Sequence, residues 1–317
     1  MLSTASLSTI DRRSYLGGSE IAAVVGLSPY ATALDVWARK ALGIVSETSP
    51  AAEVGIVLEP AVVELYRLRH AADDMRILGT VVDPAESWIG ATPDRVRDCN
   101  VNVQVKVVGI WQANRWGSPE DGPEAVPAEV LCQVAWESNA IERATGRRID
   151  VSHVPALIGT DLRVFEIPTD RKMIAMLLDA ARSFWTDHVL TGRPPEITAE
   201  MGESARELVS AMYPQETRPV VDASDEIVRL AFAYDDARSA CDASEKAKSA
   251  AAAALCAALG DHEGAITEDG SVRVAWKTKA SAGTDWKGVA MSLNPSEETI
   301  ERFARASSRT LTVKVKR

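Results

Sequence analysis

The stretch Val101-Asn102-Val103-Gln104-Val105-Lys106-Val107 decides the fold, because valines alternate in it with polar residues. Successive side chains of a β-strand point to opposite faces, so the alternation predicts a strand with its valines on one face and its polar side chains on the other. Gln104 and Lys106 therefore share the polar face of this predicted strand.

Predicted strands and helices alternate on both sides of this stretch. Short runs with a period of two predict strands, and longer runs with apolar residues three and four apart predict helices. The predicted strands are Ile77–Val82, Trp88–Ala91, Val151–Ile158 and Leu162–Ile167. The predicted helices are Ser19–Gly26 with Ser19 as N-cap, Ala33–Leu42, one with Pro60 in its first turn, Pro127–Thr145 and Asp170–Leu190. This mixture predicts an α/β core with a central mixed sheet flanked by helices.

The C-terminal third has a different composition. Residues 223–259 are rich in alanine with interleaved charges and predict a long helix or a helical hairpin. We further predict a β-hairpin at Gly264–Lys279 with Asp269-Gly270 as its turn, a helix near Pro295–Ala306 and a last strand at Thr310–Lys316. The predicted domains are a core at residues 1–200 and an appendage for assembly or partner contact at 201–317.

Composition narrows the function classes. The 317 residues carry a formal net charge of −10, which argues against a protein that coats nucleic acid nonspecifically. Any contact with DNA must then be a local site. Four sparse cysteines, no bilayer-length apolar run and no signal-like N-terminus predict a cytoplasmic protein without membrane contact. The chain also lacks a GxxxxGK[ST] loop, so its chemistry is not expected to be driven by ATP.

The predicted turn Ala91-Thr92-Pro93-Asp94 places an acid just before the alternating strand. Magnesium prefers oxygen ligands, and neighbouring strand ends can place Asp94 and Gln104 around one ion. Lys106 on the same face could stabilise charge on a phosphate. Spacing alone, however, favours the alternative that this is a solvent-facing polar strand. For Trp111 and Trp116, which follow the strand, the core is the default expectation and stacking on a base is the alternative.

Several motifs in one order resemble a known nuclease group. They are Gly17-Gly18-Ser19, Gly26-Leu27-Ser28-Pro29-Tyr30, Leu58-Glu59-Pro60, Gly90-Ala91-Thr92-Pro93-Asp94, Gln104-Val105-Lys106, Gln133, and Arg163–Ile167 followed by Asp170. Over about residues 12–195 the chain resembles the PD-(D/E)XK nuclease superfamily, specifically the YqaJ-type viral recombinases of the phage lambda exonuclease-like group. The resemblance is looser in the C-terminal third.

The resemblance implies an ATP-independent exonuclease that uses Mg²⁺, or Mn²⁺ as a substitute, to degrade one strand of linear duplex DNA from its five-prime end. Such activity serves single-strand annealing recombination. It implies a phage or prophage protein in the bacterial cytoplasm, a phage annealing protein as partner, and a homotrimeric ring around DNA.

The resemblance also implies roles for individual residues. Four would form the metal site: Glu59, Asp94, Gln104 and the backbone carbonyl of Val105. Lys106 would be the catalytic lysine, and Gln133 would position the lysine or the water. Ser19, with Arg13 as a weaker candidate, would hold the five-prime phosphate at a helix N-terminus.

Gln104 departs from the family pattern, which has glutamate at this position. The amide keeps one acceptor oxygen but removes a negative charge, which should weaken Mg²⁺ binding. Three explanations are compatible with this sequence: a natural variant that still cuts, a binder that has lost cutting, or an engineered change. The alternative functions are thus a non-catalytic protein that binds DNA ends or assembles with partners, and a RecB-like endonuclease.

Overall fold

The computed structural model describes residues 10–44, 49–98, 100–198, 201–277, 286–293 and 295–302. The chain divides into two compact units, one ending at Met212 and the other beginning at Tyr213. None of the helices in this described part is both long and apolar enough to span a bilayer.

The first unit is built on a mixed sheet. Its strands and those of a neighbouring ribbon are β1 (Met75–Arg76), β2 (Val81–Val82), β3 (Gly90–Ala91), β4 (Arg95–Arg97), β5 (Val101–Val103), β6 (Lys106–Val108), β7 (Val151–Ile158) and β8 (Asp161–Pro168). Strand β4 pairs antiparallel with β1 and β5, while β7 pairs parallel with β5 and β6 and antiparallel with β8. Strands β2 and β3 form the separate antiparallel ribbon.

Helices cover both faces of this sheet. They are α1 (Gly18–Val24), α2 (Ala33–Trp37), α3 (Pro50–His70), α4 (Ala128–Thr145), α5 (Arg171–Phe184) and α6 (Gly202–Met212). Helix α3 packs against β6, β7 and β8, whereas α4 packs against β5 and against α1 and α5. The predicted central mixed sheet flanked by helices is therefore confirmed. Ala205 of α6 is buried in the same core cluster as α1 and α4, so this helix belongs to the first unit.

The alternating stretch forms two strands, β5 and β6, separated at Gln104 and Val105, and its polar side is buried rather than exposed. Strands β5 and β6 keep one register along β7, with Val101 opposite Val151 and Lys106 opposite Ala156. Asn102 is fully buried and Gln104 is only 6% exposed. The alternative of a solvent-facing polar strand is wrong, because α4 covers this face and supplies polar partners to it.

Two predicted helix starts are wrong. Gly17, not Ser19, is the N-cap of α1, because Glu20 folds back to accept a hydrogen bond from the Gly17 N–H. Helix α3 begins at Pro50 after the N-cap Ser49, so Pro60 lies in the middle of the helix. Pro50 already satisfies the preference of proline for the first turn, and the buried face of α3 carries the helix through Pro60.

The second unit is mainly helical. It contains α7 (Asp225–Leu259), β9 (Gly264–Ile266), β10 (Arg273–Ala275), α8 (Trp286–Ser292) and α9 (Glu297–Arg302). Residues 223–259 thus form one long helix rather than a helical hairpin. The predicted β-hairpin is confirmed, and Gly270 adopts the positive φ of 69° that its turn requires. The predicted strand Thr310–Lys316, the end of the hairpin segment at Lys279 and the end of the last predicted helix at Ala306 lie outside the described residues.

Candidate active site

Asp94 lies at a bend between β3 and β4 and is held by the edge of the alternating strand. Its Oδ2 atom accepts hydrogen bonds from Gln104 Nε2 at 2.8 Å and from the Val105 N–H at 2.7 Å. Burial, followed by the nearby charge of Glu59, raises the pKa of Asp94 to about 6. The carboxylate is thus fixed in orientation but costly to ionise.

Gln104 presents an unpaired oxygen beside this carboxylate. A carboxylate can only accept hydrogen bonds, so the Gln104 amide must turn its Nε2 toward Asp94. Its Oε1 atom is left buried with no hydrogen-bond partner. An orphaned acceptor next to a buried carboxylate suits a hard cation, which would satisfy both oxygens at once.

Glu59 approaches the same position from α3. Its Oε1 atom lies 3.4 Å from Arg95 Nη1, and the same guanidinium donates to the backbone carbonyl of Asp94. Arg95 therefore links the two acids. Within the described ranges, no group of three or more His, Cys, Asp and Glu side chains is arranged to hold a metal ion. The four predicted ligands fit a cation only if the amide oxygen of Gln104 and a backbone carbonyl complete the set.

Lys106 is fixed by a hydrogen-bond chain that ends deep in the core. Its Nζ donates to Gln133 Oε1 at 2.7 Å, and Gln133 Nε2 donates to Glu137 Oε1 at 2.8 Å. Asn102 Nδ2 donates to the other Glu137 oxygen at 3.2 Å. Burial lowers the pKa of Lys106, against the opposing effects of Glu137 and Asp94. Of the two partners predicted for Gln133, the lysine and a water, the lysine is in hydrogen-bond contact with it.

Glu137 is the central residue that the sequence analysis missed. It is 2% exposed, and burial, followed by the charge of Asp94, raises its pKa to about 7. Its spacing of four residues from Gln133 puts both on one face of α4, which is the only signal the sequence offered. Polar residues four apart are also common on exposed helix faces, so this spacing could not show that Glu137 is buried and hydrogen-bonded.

A cleft of about 260 Å³ opens beside Lys106 and Gln133. Ser19, Ser28, Tyr30, Gln112, Arg115 and Glu129 contribute polar atoms to its lining. The structure therefore brings Ser19 together with Lys106 as predicted, although Ser19 is not a helix cap. Arg13 is not among the lining residues, and its guanidinium lies against Gly43 instead. The guanidinium of this cleft belongs to Arg115, a residue the sequence analysis did not single out.

A buried ion pair supports the start of helix α1, which carries Ser19 in its first turn. Glu20 Oε2 accepts from the Gly17 N–H at 2.9 Å and lies 2.6 Å from Lys40 Nζ. Lys40 also donates to the Arg12 carbonyl at 2.6 Å. Burial lowers the pKa of Lys40, while Glu20 opposes that shift. The N-cap Gly17 and helix α1 are therefore held by the two buried charged side chains of Glu20 and Lys40.

The two tryptophans after β6 have opposite environments. Trp116 is buried and packs against Phe165, as expected for a core residue. Trp111 is 90% exposed, so the default expectation of a core position is wrong for it. The difference arises because Trp111 lies on a short 3₁₀ turn, Ile110–Arg115, that projects from the sheet end.

Part of this chain is similar to a known domain family. Residues 10–140 match the family model of the YqaJ-like viral recombinase domain. The resemblance seen in the sequence is therefore confirmed over this segment, which is less than half of the chain.

One relative is similar in sequence, and two solved structures are similar in fold. The Bacillus subtilis (strain 168) protein YqaJ, described as uncharacterized, is 29% identical over 202 residues, which cover 62% of this chain and 60% of that protein. The match therefore spans less than two thirds of that relative. Among solved structures, the alkaline exonuclease LHK-Exo of Laribacter hongkongensis is similar with a TM-score of 0.45, 16% identity and coverage of 62% of this chain and 96% of that one. A phage-related exonuclease of Haemophilus somnus 129PT has a TM-score of 0.42 at 11% identity, covering 56% and 96% respectively.

Proposed function

We propose that this protein is a metal-dependent, ATP-independent deoxyribonuclease that acts on the ends of linear duplex DNA. The observation that carries the proposal is the placement of Lys106 at the cleft, tied to Gln133, with its charge close enough to Asp94 for each to affect the other's pKa. An acid that can help to hold a divalent cation, with a lysine close to it, suits metal-assisted phosphodiester hydrolysis. The YqaJ-like domain over residues 10–140 supports the same reaction class.

The metal site would use Glu59, Asp94, Gln104 Oε1 and the backbone carbonyl of Val105. Bound Mg²⁺, or Mn²⁺ in its place, would supply Lewis-acid stabilisation of charge on the scissile phosphate. The orphaned Gln104 oxygen supports this assignment. With an amide in place of a carboxylate, the site has one negative charge fewer, so we expect weak metal binding and attenuated cutting.

The chain's own residues then orient the DNA. Lys106 donates from a fixed position, because its Nζ is hydrogen-bonded to Gln133, which Glu137 in turn holds in place. Its lowered pKa makes the ammonium easier to deprotonate than that of a solvated lysine. Ser19, which lines the same cleft, would hold the five-prime phosphate, and Arg115 is the guanidinium in that lining. Digestion from the five-prime end follows from that phosphate contact.

The cellular setting is part of the proposal. A nuclease that exposes single strands serves annealing recombination, so its partner would be a phage annealing protein in the bacterial cytoplasm. A homotrimeric ring that encloses DNA would keep this acidic chain on its substrate, because the net charge of −10 gives no general attraction to phosphates.

The test is digestion of linear duplex DNA with and without five-prime phosphates, in Mg²⁺ and in EDTA. We expect slow, Mg²⁺-dependent loss of one strand, faster cutting by Gln104→Glu, and none by Lys106→Ala. Cutting of circular duplex, or indifference to the end phosphate, would favour an endonuclease. If neither the wild type nor Gln104→Glu cuts while both bind DNA ends, the protein is a non-catalytic end-binding protein.

A further inference from the structure

The rim of the cleft carries an exposed aromatic side chain that no structural role explains. The 3₁₀ turn Ile110–Arg115 follows β6 directly, and its Gln112 and Arg115 line the cleft beside Lys106. Trp111 belongs to the same turn and is 90% exposed. The turn therefore exposes a large indole to solvent between β6 and the two turn residues that line the cleft.

Exposure of this indole is unusual for the first unit. Its other tryptophans pack in the core or against it, namely Trp37, Trp88, Trp116, Trp136 and Trp185. Leaving a large aromatic in water forgoes the stabilisation that burial of its apolar area would give. Trp111 thus contributes little to folding, and its indole is available for a ligand.

A second aromatic ring lies on the same rim in a fixed position. Tyr30 is 65% exposed, yet its hydroxyl donates to Gln112 Oε1 at 3.0 Å and accepts from Arg115 Nη1 at 3.1 Å. Arg115 is itself oriented by Glu129, at 2.8 Å. The rim therefore combines two exposed aromatic rings, a held guanidinium and the cleft that contains Lys106.

We infer that Trp111 is a stacking position for an unpaired base of a DNA strand at the cleft, where Tyr30 is held by the next residue of the turn, Gln112. Aromatic faces beside a cationic groove are the usual means of binding single-stranded nucleic acid without sequence preference. Lys106 and Arg115 at the cleft favour a phosphate-bearing ligand over an apolar protein surface. The inference deepens the proposed function, on which it rests for the idea that this cleft receives DNA.

The experiment measures binding of a fluorescently labelled oligothymidylate of about 12 nucleotides to the full chain in EDTA, where no cutting can occur. Trp111→Ala should raise the Kd by about 5- to 150-fold, the loss expected for one stacked base, whereas Trp111→Phe should retain most of the affinity. Trp276→Ala is the matched control, because Trp276 is also an exposed tryptophan, at 50%, but lies in the second unit. Its Kd should equal that of the wild type.

Several results would overturn the inference. An unchanged Kd for Trp111→Ala, or no oligonucleotide binding by the wild type, excludes stacking there. If Trp111→Ala instead lowers the sedimenting mass and leaves the Kd unchanged, the indole belongs to a contact between protein chains. If Trp111→Ala weakens oligonucleotide binding but the protein never cuts DNA, only the nuclease proposal is contradicted. If the protein cuts DNA but Trp111→Ala leaves the Kd unchanged, only the stacking position is contradicted.

Discussion

The side chain of Glu137 occupies the space where a Cβ atom on Gly18 would lie. A Cβ built at Gly18 falls 2.7 Å from Glu137 Cγ, closer than non-bonded carbon atoms approach. The first turn of α1, which carries Ser19, and the hydrogen-bond chain that leads to Lys106 therefore meet at one contact. Neither partner can move toward the other.

Gly18→Ala should lower the free energy of unfolding by about 1–3 kcal/mol, because Glu137 is buried and cannot move aside into solvent. Urea denaturation measures this change. Gly55→Ala is the matched control: Gly55 lies inside α3 with no atom near its missing Cβ, so alanine should stabilise the helix by about 0.5–1 kcal/mol. Equal effects of the two substitutions would contradict the proposed contact.

Gln104→Glu should make stability depend on divalent metal. The new carboxylate would face Asp94 Oδ2 across the present 2.8 Å hydrogen bond, so without metal the variant should lose roughly 1–3 kcal/mol near neutral pH. Mg²⁺ should then raise its Tm more than that of the wild type, since binding to the folded state alone stabilises it. Differential scanning calorimetry in EDTA and in Mg²⁺ checks both effects.

The control for this metal effect is Gln215→Glu, which adds the same charge at an exposed position of the second unit. Its Tm should show no added response to Mg²⁺. A Gln104→Glu protein that is as stable as the wild type in EDTA, with no extra Mg²⁺ response, would show that position 104 is no metal ligand.

Glu137 should impose a pH dependence on stability. Its pKa is about 7 in the folded protein against 4.5 in the unfolded chain, so the folded state binds more protons between these values. The protonated carboxyl therefore stabilises the fold fully below pH 4.5, and this contribution is lost as the pH rises through 7. For Glu137→Gln that loss should vanish, a difference of about 3 kcal/mol between the ends of this window.

Urea denaturation of both proteins at several pH values checks this prediction. Only the slope with pH tests it, because glutamine also changes the hydrogen bonds to Gln133 and Asn102 at every pH. Parallel stability curves for the two proteins would mean that Glu137 keeps an ordinary pKa.

The Glu20–Lys40 pair should behave as a buried ion pair. Lys40→Met leaves the Glu20 carboxylate without its cation in a site that water barely reaches, so we expect a loss of about 3–5 kcal/mol. The double variant Glu20→Gln/Lys40→Met should recover part of that loss. Lys248→Met, which breaks an exposed pair with Glu245, should change stability by less than about 0.5 kcal/mol. A change of less than about 1 kcal/mol for Lys40→Met would mean that the pair behaves like an exposed ion pair.

The sequence predicted elements well where local signals and periodicity agree. Helix α4 begins after Pro127 and ends at Gly146, and strands β7 and β8 appear close to their predicted bounds. In these segments a terminal proline or glycine coincides with the change of apolar period. Tertiary contacts do not alter such boundaries.

The failures involve contacts between distant residues. The cap of α1 moved to Gly17 because Glu20 is fixed by Lys40, and Pro60 is tolerated inside α3 because that helix buries Val62 and Tyr66. Likewise, no local sequence pattern predicts that α4 covers the polar face of β5 and β6. The sequence therefore yielded Lys106 and Gln133 by resemblance, but not the buried Glu137 that restrains them.

The contact between Gly18 and Glu137 also limits how this protein can be recombined with a relative. Three segments meet through it, around residues 18, 102–106 and 133–137, and each lies within the matched range 10–140. A chimera whose crossover falls between Gly18 and Glu137 would combine a loop from one parent with a hydrogen-bond chain from the other. Exchange of the range as a single block keeps both, but its end at residue 140 falls inside α4 and leaves β7 and β8 behind. A block that runs on through β8 is therefore the natural unit for domain transplantation.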